Sequence, residues 1–540
     1  MAQQASSSSA TADCDAVVIG AGFAGLYAVQ KLTALGFEVV GFEKGKDVGG
    51  VWYWNRYPGA RCDCESYYYS YSFSKELAQD WSWSLRYSEQ PEILRYLSHV
   101  ADRFDLRRHF HFNAAVQKAT YDDASGLWTV EASDGAKVTA RYIVSAAGCL
   151  SQIQKPAIPG LDDFKGEVLY TAAWPHEGRD FTGKRVGVVG TGASGVQAIS
   201  RIGAQAKELV VFQRTANFVI PVWNAPMKKD FEVWVKDHYE EVWQRCKTSG
   251  GAVPFDPPEG SAAESSEERR KELLEKYWQR GGTQFFSAFS DAFGSVEAND
   301  LMANFVRDYI RRTVNDPATA EELMPNDHPI GTKRPPMDDE YYKTFNKQTT
   351  TLVNIRKNPI TGMTGNSVHT KDGSAYEFDT LVLATGFDAI TGALLAIDVK
   401  GKGGQSLREI WKQGAETYLG LGIAGFPNLF TITGPLSPSV LANMPTGVEQ
   451  HVDWIADCML HMRDRQLTRI EVDEQAQRDW TKHVDDVASM TLYAKTNSWY
   501  FGSNIPGKPR QFGVYVGGHG AYRQRCDDVA KANYEGFSLA

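Results

Sequence analysis

One pattern occurs twice in the 540-residue chain and constrains its fold more than any other feature. In the first copy, an apolar run at 16–19 leads into Gly20-x-Gly22-x-x-Gly25 and a helical stretch at 26–35. In the second copy, an apolar run at 186–189 leads into Gly190-x-Gly192-x-x-Gly195 and another helical stretch. A strand, a glycine-rich turn and a helix in this order are typical of a unit that binds a dinucleotide. The chain is therefore predicted to be an α/β protein with two Rossmann-like dinucleotide-binding domains.

The three glycines of each copy have separate roles. The first makes the tight turn, the second lets the backbone approach a pyrophosphate, and the third packs the helix against the sheet. The helix N-terminus then points at the anion. Further along, each copy has an Asp-Gly hairpin signal, at 134–135 and 372–373, and a strand ending in a glycine, at 142–148 and 381–386.

The residues after the second strand of each copy indicate which dinucleotide binds where. Glu43 follows the run at 38–42, and a carboxylate there accepts hydrogen bonds from a ribose diol and repels a 2′-phosphate. The second copy has Arg214 and Thr215 in this place, and a guanidinium suits a 2′-phosphate. We therefore expect FAD in the first copy and NADP in the second.

The chain between and beyond the copies predicts a nested arrangement. Ser265-x-x-Glu268 is typical of a capping box opening a helix at 267–278, and 307–314 has a helical pattern. The predicted divisions are a disordered lead at 1–13, an FAD-binding domain at 14–150, an NADP-binding domain at 151–221, a helical insertion at 222–330, the return of the NADP-binding domain at 331–380, and the return of the FAD-binding domain at 381–540 with a mobile loop near 499–510.

Composition excludes several classes of protein. The net charge of −9 argues against a nucleic acid or an anionic membrane as a partner. No apolar run reaches the roughly 18 residues of a membrane span, and the N-terminus has no secretory pattern. Seven scattered cysteines predict free thiols, and none of the spacings suits a metal site. We expect a cytoplasmic protein without a metal; the sequence does not predict its oligomeric state.

The stretch 49–63 is rich in aromatic residues and broken by Gly and Pro, which predicts a loop. Its rings must be buried, either against a flat flavin or in a small core beneath the loop.

This stretch carries a family resemblance. The family fingerprint is matched by Gly49, Gly50, Trp52, Tyr57, Pro58, Gly59 and Asp63. A second fingerprint is matched by Phe164, Gly166, Trp174 and Pro175, with Tyr170 where the family has histidine. From about residue 15 to its end, the chain resembles the type I Baeyer–Villiger monooxygenases, closest to the phenylacetone and steroid monooxygenase group.

The resemblance implies a reaction. In it NADPH reduces FAD, O2 adds to give a flavin C4a-peroxide, and the peroxide attacks a small-molecule ketone to give an ester or lactone. Arg334 matches the active-site arginine, a fixed cation for the peroxide anion, and Asp63 matches its partner acid. Residues that match cofactor contacts are Gly20, Gly22, Phe23, Gly25, Glu43, Val51, Trp52, Tyr53, Trp54, Asp63, Tyr69 and Val116 for FAD, and Gly190, Thr191, Gly192, Ala193, Ser194, Gly195, Arg214, Thr215, Lys333, Arg334, Met444 and Trp499 for NADP and the site around it. Ser439, Val440, Leu441 and Met444 match the loop that shapes the ketone pocket.

Other functions share part of this pattern. A flavin monooxygenase that oxidises sulfides or amines also has two glycine-rich units, but the stretch 49–63 and Arg334 favour ketone oxidation. A disulfide reductase needs two cysteines with four residues between them just after the FAD glycines, which Cys62-x-Cys64 does not provide. A redox sensor that binds FAD and NADP without turnover does not need Arg334 or Asp63. Tyr170 cannot become a cation near neutral pH, so the coupling of NADPH oxidation to oxygenation depends on whether the histidine it replaces is only structural.

Overall fold

The computed structural model describes residues 12–540. The predicted lead at 1–13 lies almost wholly outside the described residues. Asp13 lies inside them, and its backbone N–H donates to the Thr139 carbonyl at 3.0 Å, so the sheet region begins slightly earlier than predicted.

The described chain contains two kinds of regular element. The strands are β1 (Cys14–Ile19), β2 (Val39–Phe42), β3 (Phe110–His111), β4 (Val116–Asp122), β5 (Leu127–Ala132), β6 (Lys137–Ser145), β7 (Glu167–Tyr170), β8 (Arg185–Val189), β9 (Glu208–Gln213), β10 (Thr350–Asn354), β11 (Ile360–Thr364), β12 (Ser367–Thr370), β13 (Ala375–Glu377), β14 (Thr380–Leu383), β15 (Asp398–Lys400), β16 (Leu429–Thr431), β17 (Ile470–Val472) and β18 (Phe537–Leu539). The α-helices are α1 (Phe23–Ala34), α2 (Val51–Trp54), α3 (Lys75–Asp80), α4 (Gln90–Arg103), α5 (Ala193–Ile202), α6 (Lys229–Asp237), α7 (Tyr239–Thr248), α8 (Glu267–Arg280), α9 (Val296–Thr313), α10 (Pro317–Leu323), α11 (Tyr341–Thr344), α12 (Gly392–Leu395), α13 (Leu407–Ile410), α14 (Met444–Asp464), α15 (Glu474–Ser489) and α16 (His519–Lys531).

The first sheet contains the first glycine-rich unit. Its strand order is β15-β4-β5-β6-β1-β2-β3, with β16 paired to β6. Strand β1 runs parallel to both β2 and β6, so Val17 lies between Val40 and Ile143. Strands β5 and β6 are antiparallel around the predicted Asp134-Gly135 turn. Apolar side chains on both faces of β1 are buried, as expected for a parallel strand covered on two sides.

The second sheet is parallel throughout and has the order β10-β9-β8-β14-β7. Strand β14 pairs with β7 and β8, so the predicted boundary at 380/381 is wrong: it cuts through a strand of this sheet. The internal repeat explains why β14 belongs to this sheet: β14 pairs with β8 in the second unit, just as β6 pairs with β1 in the first. The predicted Asp372-Gly373 turn joins β12 and β13 in a small separate sheet.

Helices α6 to α10 lie in the segment 222–330, but they do not all pack against the second sheet. Val242 and Cys246 of α7 lie in the hydrophobic core of the first sheet, whereas Leu273 of α8 and Met302 of α9 lie in the core of the second. The segment therefore contacts both halves of the molecule.

Two local predictions need correction. Helix α8 is capped by Ser266, whose side chain accepts the Arg269 N–H, and not by Ser265. Within the predicted loop 49–63, residues Val51–Trp54 form a short helix. Gly49 and Gly50 have φ of +131° and +55°, a conformation that favours glycine, and this reversal lets the Trp52 N–H reach the Gly49 carbonyl.

Within residues 12–540, no helix combines the length and apolar character needed to cross a membrane. All seven cysteines are free thiols and are buried.

Candidate active site

A cavity of about 1780 Å³ extends from the first sheet to the second and is bordered by both glycine-rich turns. Gly20 and Gly22 line one end, and Gly190 and Gly192 line the other. The third glycines do not line it. A Cβ on Gly25 would lie 1.7 Å from the Gly20 carbonyl oxygen, and one on Gly195 would lie 2.2 Å from that of Gly190. Only glycine therefore lets each helix begin so close to its turn.

Glu43 lies at the first end of the cavity and is buried. Its two carboxylate oxygens accept the Ala21 N–H at 2.8 Å and the Gly45 N–H at 2.7 Å, which fixes the glycine-rich turn against the end of β2. A carboxylate can accept about four hydrogen bonds. Glu43 therefore keeps the capacity to accept hydrogen bonds from a ribose diol.

The stretch 49–63 contacts both halves of the molecule. The Trp52 indole donates to the Tyr69 hydroxyl at 3.1 Å, beside the cavity. The Tyr57 hydroxyl donates to Gln197 of α5 at 2.9 Å, and the Trp54 carbonyl accepts the Trp174 N–H at 3.2 Å. The two family fingerprints thus touch each other. The rings of Trp52, Trp54 and Tyr57 line the cavity, whereas that of Tyr53 packs against protein.

Tyr53 differs from its neighbours, because it does not line the cavity although Val51, Trp52 and Trp54 do. Its ring lies 4.7 Å from His176 in an edge-on contact, and its hydroxyl accepts the Lys46 N–H. Its position predicts a role in shaping the turn after Glu43 and not direct cofactor contact.

Arg334 and Asp63 meet in the cavity. The Arg334 Nε donates to one oxygen of Asp63 at 2.6 Å and Nη2 donates to the other at 2.8 Å, while Nη1 donates to the Val440 carbonyl. A quarter of each side chain is exposed, and both line the cavity. Burial raises the pKa of Asp63, but the guanidinium outweighs this and holds the pKa below its usual value. Burial also opposes the charge of Arg334, yet Asp63 keeps its pKa well above the usual range. Both groups therefore stay charged.

Two buried tyrosines lie near this pair. Burial raises the pKa of Tyr493 to about 12, although the Arg334 charge opposes the rise. Burial likewise raises the pKa of Tyr500. Both phenols are therefore neutral at physiological pH, and neither was predicted from the sequence, which has no local pattern marking them.

The other end of the cavity is positively charged. It is lined by the cations Arg214 and Lys333 and by Thr215. Burial lowers the pKa of Lys333; Asp327 opposes this, while Arg356 and Arg214 add to it. Arg356 and Asp327 also line the cavity and were missed by sequence analysis. A signal was available, because Arg356 follows β10, the strand beside the one that ends before Arg214.

A segment near the C-terminus, which begins at Trp499, borders the cavity. Trp499 lines it and opens a single helical turn, Trp499–Phe501. Within the predicted mobile loop near 499–510, Asn504 donates to the Phe387 carbonyl and Lys508 donates to Asp388. The loop is thus docked on the segment that follows β14.

The predicted pocket loop is only partly at the cavity. Val440 and Met444 line it, but Ser439 and Leu441 do not. The Ser439 hydroxyl donates instead to the Thr433 carbonyl at 3.1 Å, and its φ of +42° turns the chain so that the Val440 carbonyl meets Arg334. Ser439 therefore lies outside the cavity and positions Val440, which lines it.

Tyr170 ends β7, is partly buried against the apolar cluster of the second sheet, and does not line the cavity. Burial raises its pKa, so it is a neutral phenol.

The cavity suits two dinucleotides. A Cβ on Gly192 would meet nothing within 4 Å, so the second turn is open to an approaching pyrophosphate. Three buried polar atoms of cavity-lining residues, Asn55 Oδ1, Ser498 Oγ and Asn504 Oδ1, have no hydrogen-bond partner among the described residues. Such atoms are costly unless a ligand satisfies them. The residues present therefore fit FAD at the first end and NADP at the second.

Comparisons with known proteins agree with this geometry. Residues 14–234 match the model of the flavin-binding monooxygenase-like family. A Baeyer–Villiger monooxygenase of Pseudooceanicola batsensis is 43% identical over 97% of this chain and 96% of its own length. A phenazine N-monooxygenase of Lysobacter antibioticus is 41% identical over 97% of each chain. The structure of an oxidised steroid monooxygenase bound to NADP superposes with a TM-score of 0.93 at 48% identity, covering 97% of this chain and 99% of that one.

Identity of this extent over nearly the whole chain, together with the charged pair in a cavity shared by two dinucleotide sites, establishes the family. The chain belongs to the type I Baeyer–Villiger monooxygenases, FAD- and NADPH-dependent oxidoreductases that insert one oxygen atom next to a ketone carbonyl.

Proposed function

We propose that this chain oxidises small, apolar, uncharged ketones to esters or lactones, with Arg334 as the cation at the reacting atoms and Asp63 as its positioning partner. The observation that carries this proposal is the two-pronged Asp63–Arg334 contact inside the cavity shared by both glycine-rich turns.

The hydrogen bonds of Arg334 leave it partly free. A guanidinium has five N–H groups. Two are directed to Asp63 and one to the Val440 carbonyl. Among the hydrogen bonds of residues 12–540, one N–H on each terminal nitrogen is left to bind an anionic or carbonyl oxygen. Because three contacts fix the plane of the group, these donors are oriented before any substrate arrives, which is the condition for strong electrostatic stabilisation.

Bound FAD, reduced by NADPH, supplies the electrons that activate O2. The chain's own residues would hold the two dinucleotides: Glu43 would accept hydrogen bonds from the FAD ribose, and Arg214, Thr215 and Lys333 would bind the NADP 2′-phosphate. Arg334 stabilises negative charge on oxygen while it forms near the ketone carbon. The partly buried surroundings strengthen this effect, since a charge acts more strongly where water is scarce.

Apolar side chains define the ketone's surroundings. The cavity that holds Arg334 is also lined by Val440, Met444, Val448, Cys149 and Trp499. Val440 accepts a hydrogen bond from Arg334 through its carbonyl, and Cys149 lies close enough to feel the Arg334 charge. Arg334 is itself neutralised by Asp63, so nothing in this group favours a charged substrate.

The Arg334→Ala variant tests the role of the cation. Flavin reduction by NADPH should persist in stopped-flow absorbance, because hydride transfer depends mainly on the placement of the two cofactors. Ester formation should fall by about 10²–10³, the cost of removing one preorganised donor or cation. Arg311→Ala is the matched control, since Arg311 is a surface arginine outside the cavity. Ester formation at the parental rate would contradict the role given to Arg334.

A second candidate activity is N-oxidation of a heteroaromatic amine, and the phenazine N-monooxygenase relative is the observation that favours it. The parent enzyme should be given ketones and phenazines in parallel, with ester and N-oxide measured separately. N-oxide without ester from any ketone of a broad panel would favour the second candidate. Ester without N-oxide would leave ketone oxidation as the function.

A further inference from the structure

Arg356 lies at the NADP end of the cavity although neither fingerprint includes it. Strands β9 and β10 are parallel, and Asn354 is in register with Gln213. The chain therefore leaves both strands at the same edge of the sheet and brings Arg356 next to Thr215. The Arg356 Nη2 donates to the Thr215 hydroxyl at 3.0 Å.

One carboxylate stands among the cations at this end. Asp327 lines the cavity with Arg214, Lys333 and Arg356. The Arg356 Nη2 pairs with one oxygen of Asp327 at 2.8 Å, and His328 Nδ1 lies 2.7 Å from the other oxygen. These two contacts, that of His328 first, hold the pKa of Asp327 well below its usual value. Asp327 therefore stays negative, and left alone it would repel a phosphate.

Arg356 also has unused donors. Both of its side-chain hydrogen bonds come from Nη2, so Nε and Nη1 have no acceptor among residues 12–540. The side chain is 55% exposed and lines the cavity, so a ligand can reach these donors. A planar guanidinium with free N–H groups suits a phosphate better than any other side chain.

We propose that Arg356 is a specificity-determining residue for the 2′-phosphate of NADP(H): it cancels the charge of Asp327 and adds a third cation to Arg214 and Lys333. Without Arg356, no guanidinium would offset the negative charge of Asp327, and this carboxylate would repel the phosphate. Arg356 thus favours NADPH over NADH in two ways. Its own charge attracts the 2′-phosphate, and it offsets the repulsion between this phosphate and Asp327.

Direct binding tests this without any turnover. The FAD-loaded protein is titrated calorimetrically with 2′,5′-ADP, which carries the 2′-phosphate, and with ADP, which lacks it. Arg356→Ala should weaken 2′,5′-ADP binding by about tenfold, the low end for a charge-assisted contact because the side chain is half exposed. ADP binding should change less than twofold. Lys357→Ala is the matched control, since Lys357 is the next cation along the chain, pairs with Glu322 and does not line the cavity.

The Asp327→Asn variant separates the two parts of the proposal. Removing the carboxylate should tighten 2′,5′-ADP binding, and Arg356→Ala should cost less in that background than in the parent. Equal weakening of both ligands by Arg356→Ala, or a loss that accompanies a lower unfolding midpoint, would make Arg356 a structural clamp and overturn the proposal. No change for either ligand would overturn it as well. Neither outcome bears on ketone oxidation, because no ketone is present.

Discussion

Buried charges in this protein behave in opposite ways according to their partners. Asp63 has a guanidinium on both oxygens and keeps a low pKa. Glu449 of α14 has no hydrogen bond from a cation within the described part of the chain. It accepts from the Ser72 N–H at 2.6 Å, the Ser72 hydroxyl at 2.5 Å and the Phe73 N–H at 3.0 Å. Burial raises its pKa to about 7, although the Ser72 contacts oppose the rise.

Glu449 should therefore make stability depend on pH. Its folded pKa lies above the usual value of 4.5, so the protonated form is favoured in the folded state. The stability it contributes is fully present below about pH 4.5 and is lost as pH rises through about 7. Glu449→Gln, which stays neutral, should be increasingly stable relative to the parent as pH rises. Unfolding midpoints from pH 5 to 8 measure this. A variant less stable than the parent by the same amount at every pH would show that the three donors require the anion.

At the scale of single elements, sequence patterns predicted the strands of the two glycine-rich units but not the other strands or the way they connect. The runs at 16–19 and 186–189 lie within β1 and β8, because continuous apolar runs mark strands buried on both faces. The short helix at Val51–Trp54 was not predicted, since four residues are too few for a periodic pattern. The residue that caps α8 is Ser266, one position after the predicted Ser265, a difference that is common at helix ends.

Strand β7 carries the clearest departure from the family pattern, Tyr170. Because its side chain packs on the apolar cluster of the second sheet, away from the cavity, it should act only in packing. We expect Tyr170→Phe to leave the ratio of product formed to NADPH consumed unchanged. A fall in this ratio, with hydrogen peroxide released instead, would show that the phenolic hydroxyl takes part in coupling.

The docked segment 499–510 should affect NADP more than FAD. Trp499 lines the cavity, and the segment is held to Phe387 and Asp388 by Asn504 and Lys508. Trp499→Ala should weaken NADP+ binding and lower product formation while FAD stays bound, because closing segments order a site that is otherwise formed. Trp234→Ala is the control, since Trp234 is exposed on α6 and lies outside the cavity. Flavin lost from Trp499→Ala on gel filtration would make Trp499 a structural residue of the FAD site.

At the scale of the molecule, the repeat predicted two sheets but not how they are joined. The stretch 49–63 resembled a cofactor loop, yet it also joins the halves through Tyr57 and Gln197. The sequence predicted that the segment 222–330 is an insertion into the NADP-binding domain. Its helix α7, however, packs against the core of the first sheet. Contacts between distant parts of a chain leave no local periodicity, and this is why a single sequence did not reveal them.

Two of the ion pairs that join the halves should differ greatly in their effect on stability. Arg61 and Asp338 lie 3.2 Å apart with side chains only 4% and 2% exposed, whereas Arg201 and Glu89 lie 2.8 Å apart with 48% and 37% exposed. Removing one partner of a buried pair leaves an uncompensated charge and costs about 3–5 kcal/mol, whereas an exposed pair contributes roughly 0–1 kcal/mol.

Asp338→Ala should therefore lower the unfolding midpoint far more than Glu89→Ala, as measured by thermal unfolding of the FAD-loaded protein. Replacing both buried partners, Arg61→Met with Asp338→Leu, should restore much of the loss, because no charge is then left unpaired. The Glu340 N–H, which donates to Asp338 at 2.9 Å, would lose this acceptor and limit the recovery, whereas the Ser200 hydroxyl would keep the Gln197 carbonyl at 3.1 Å. Equal, small losses for Asp338→Ala and Glu89→Ala would mean that water reaches the Arg61 site and that the join between the halves depends on apolar packing instead.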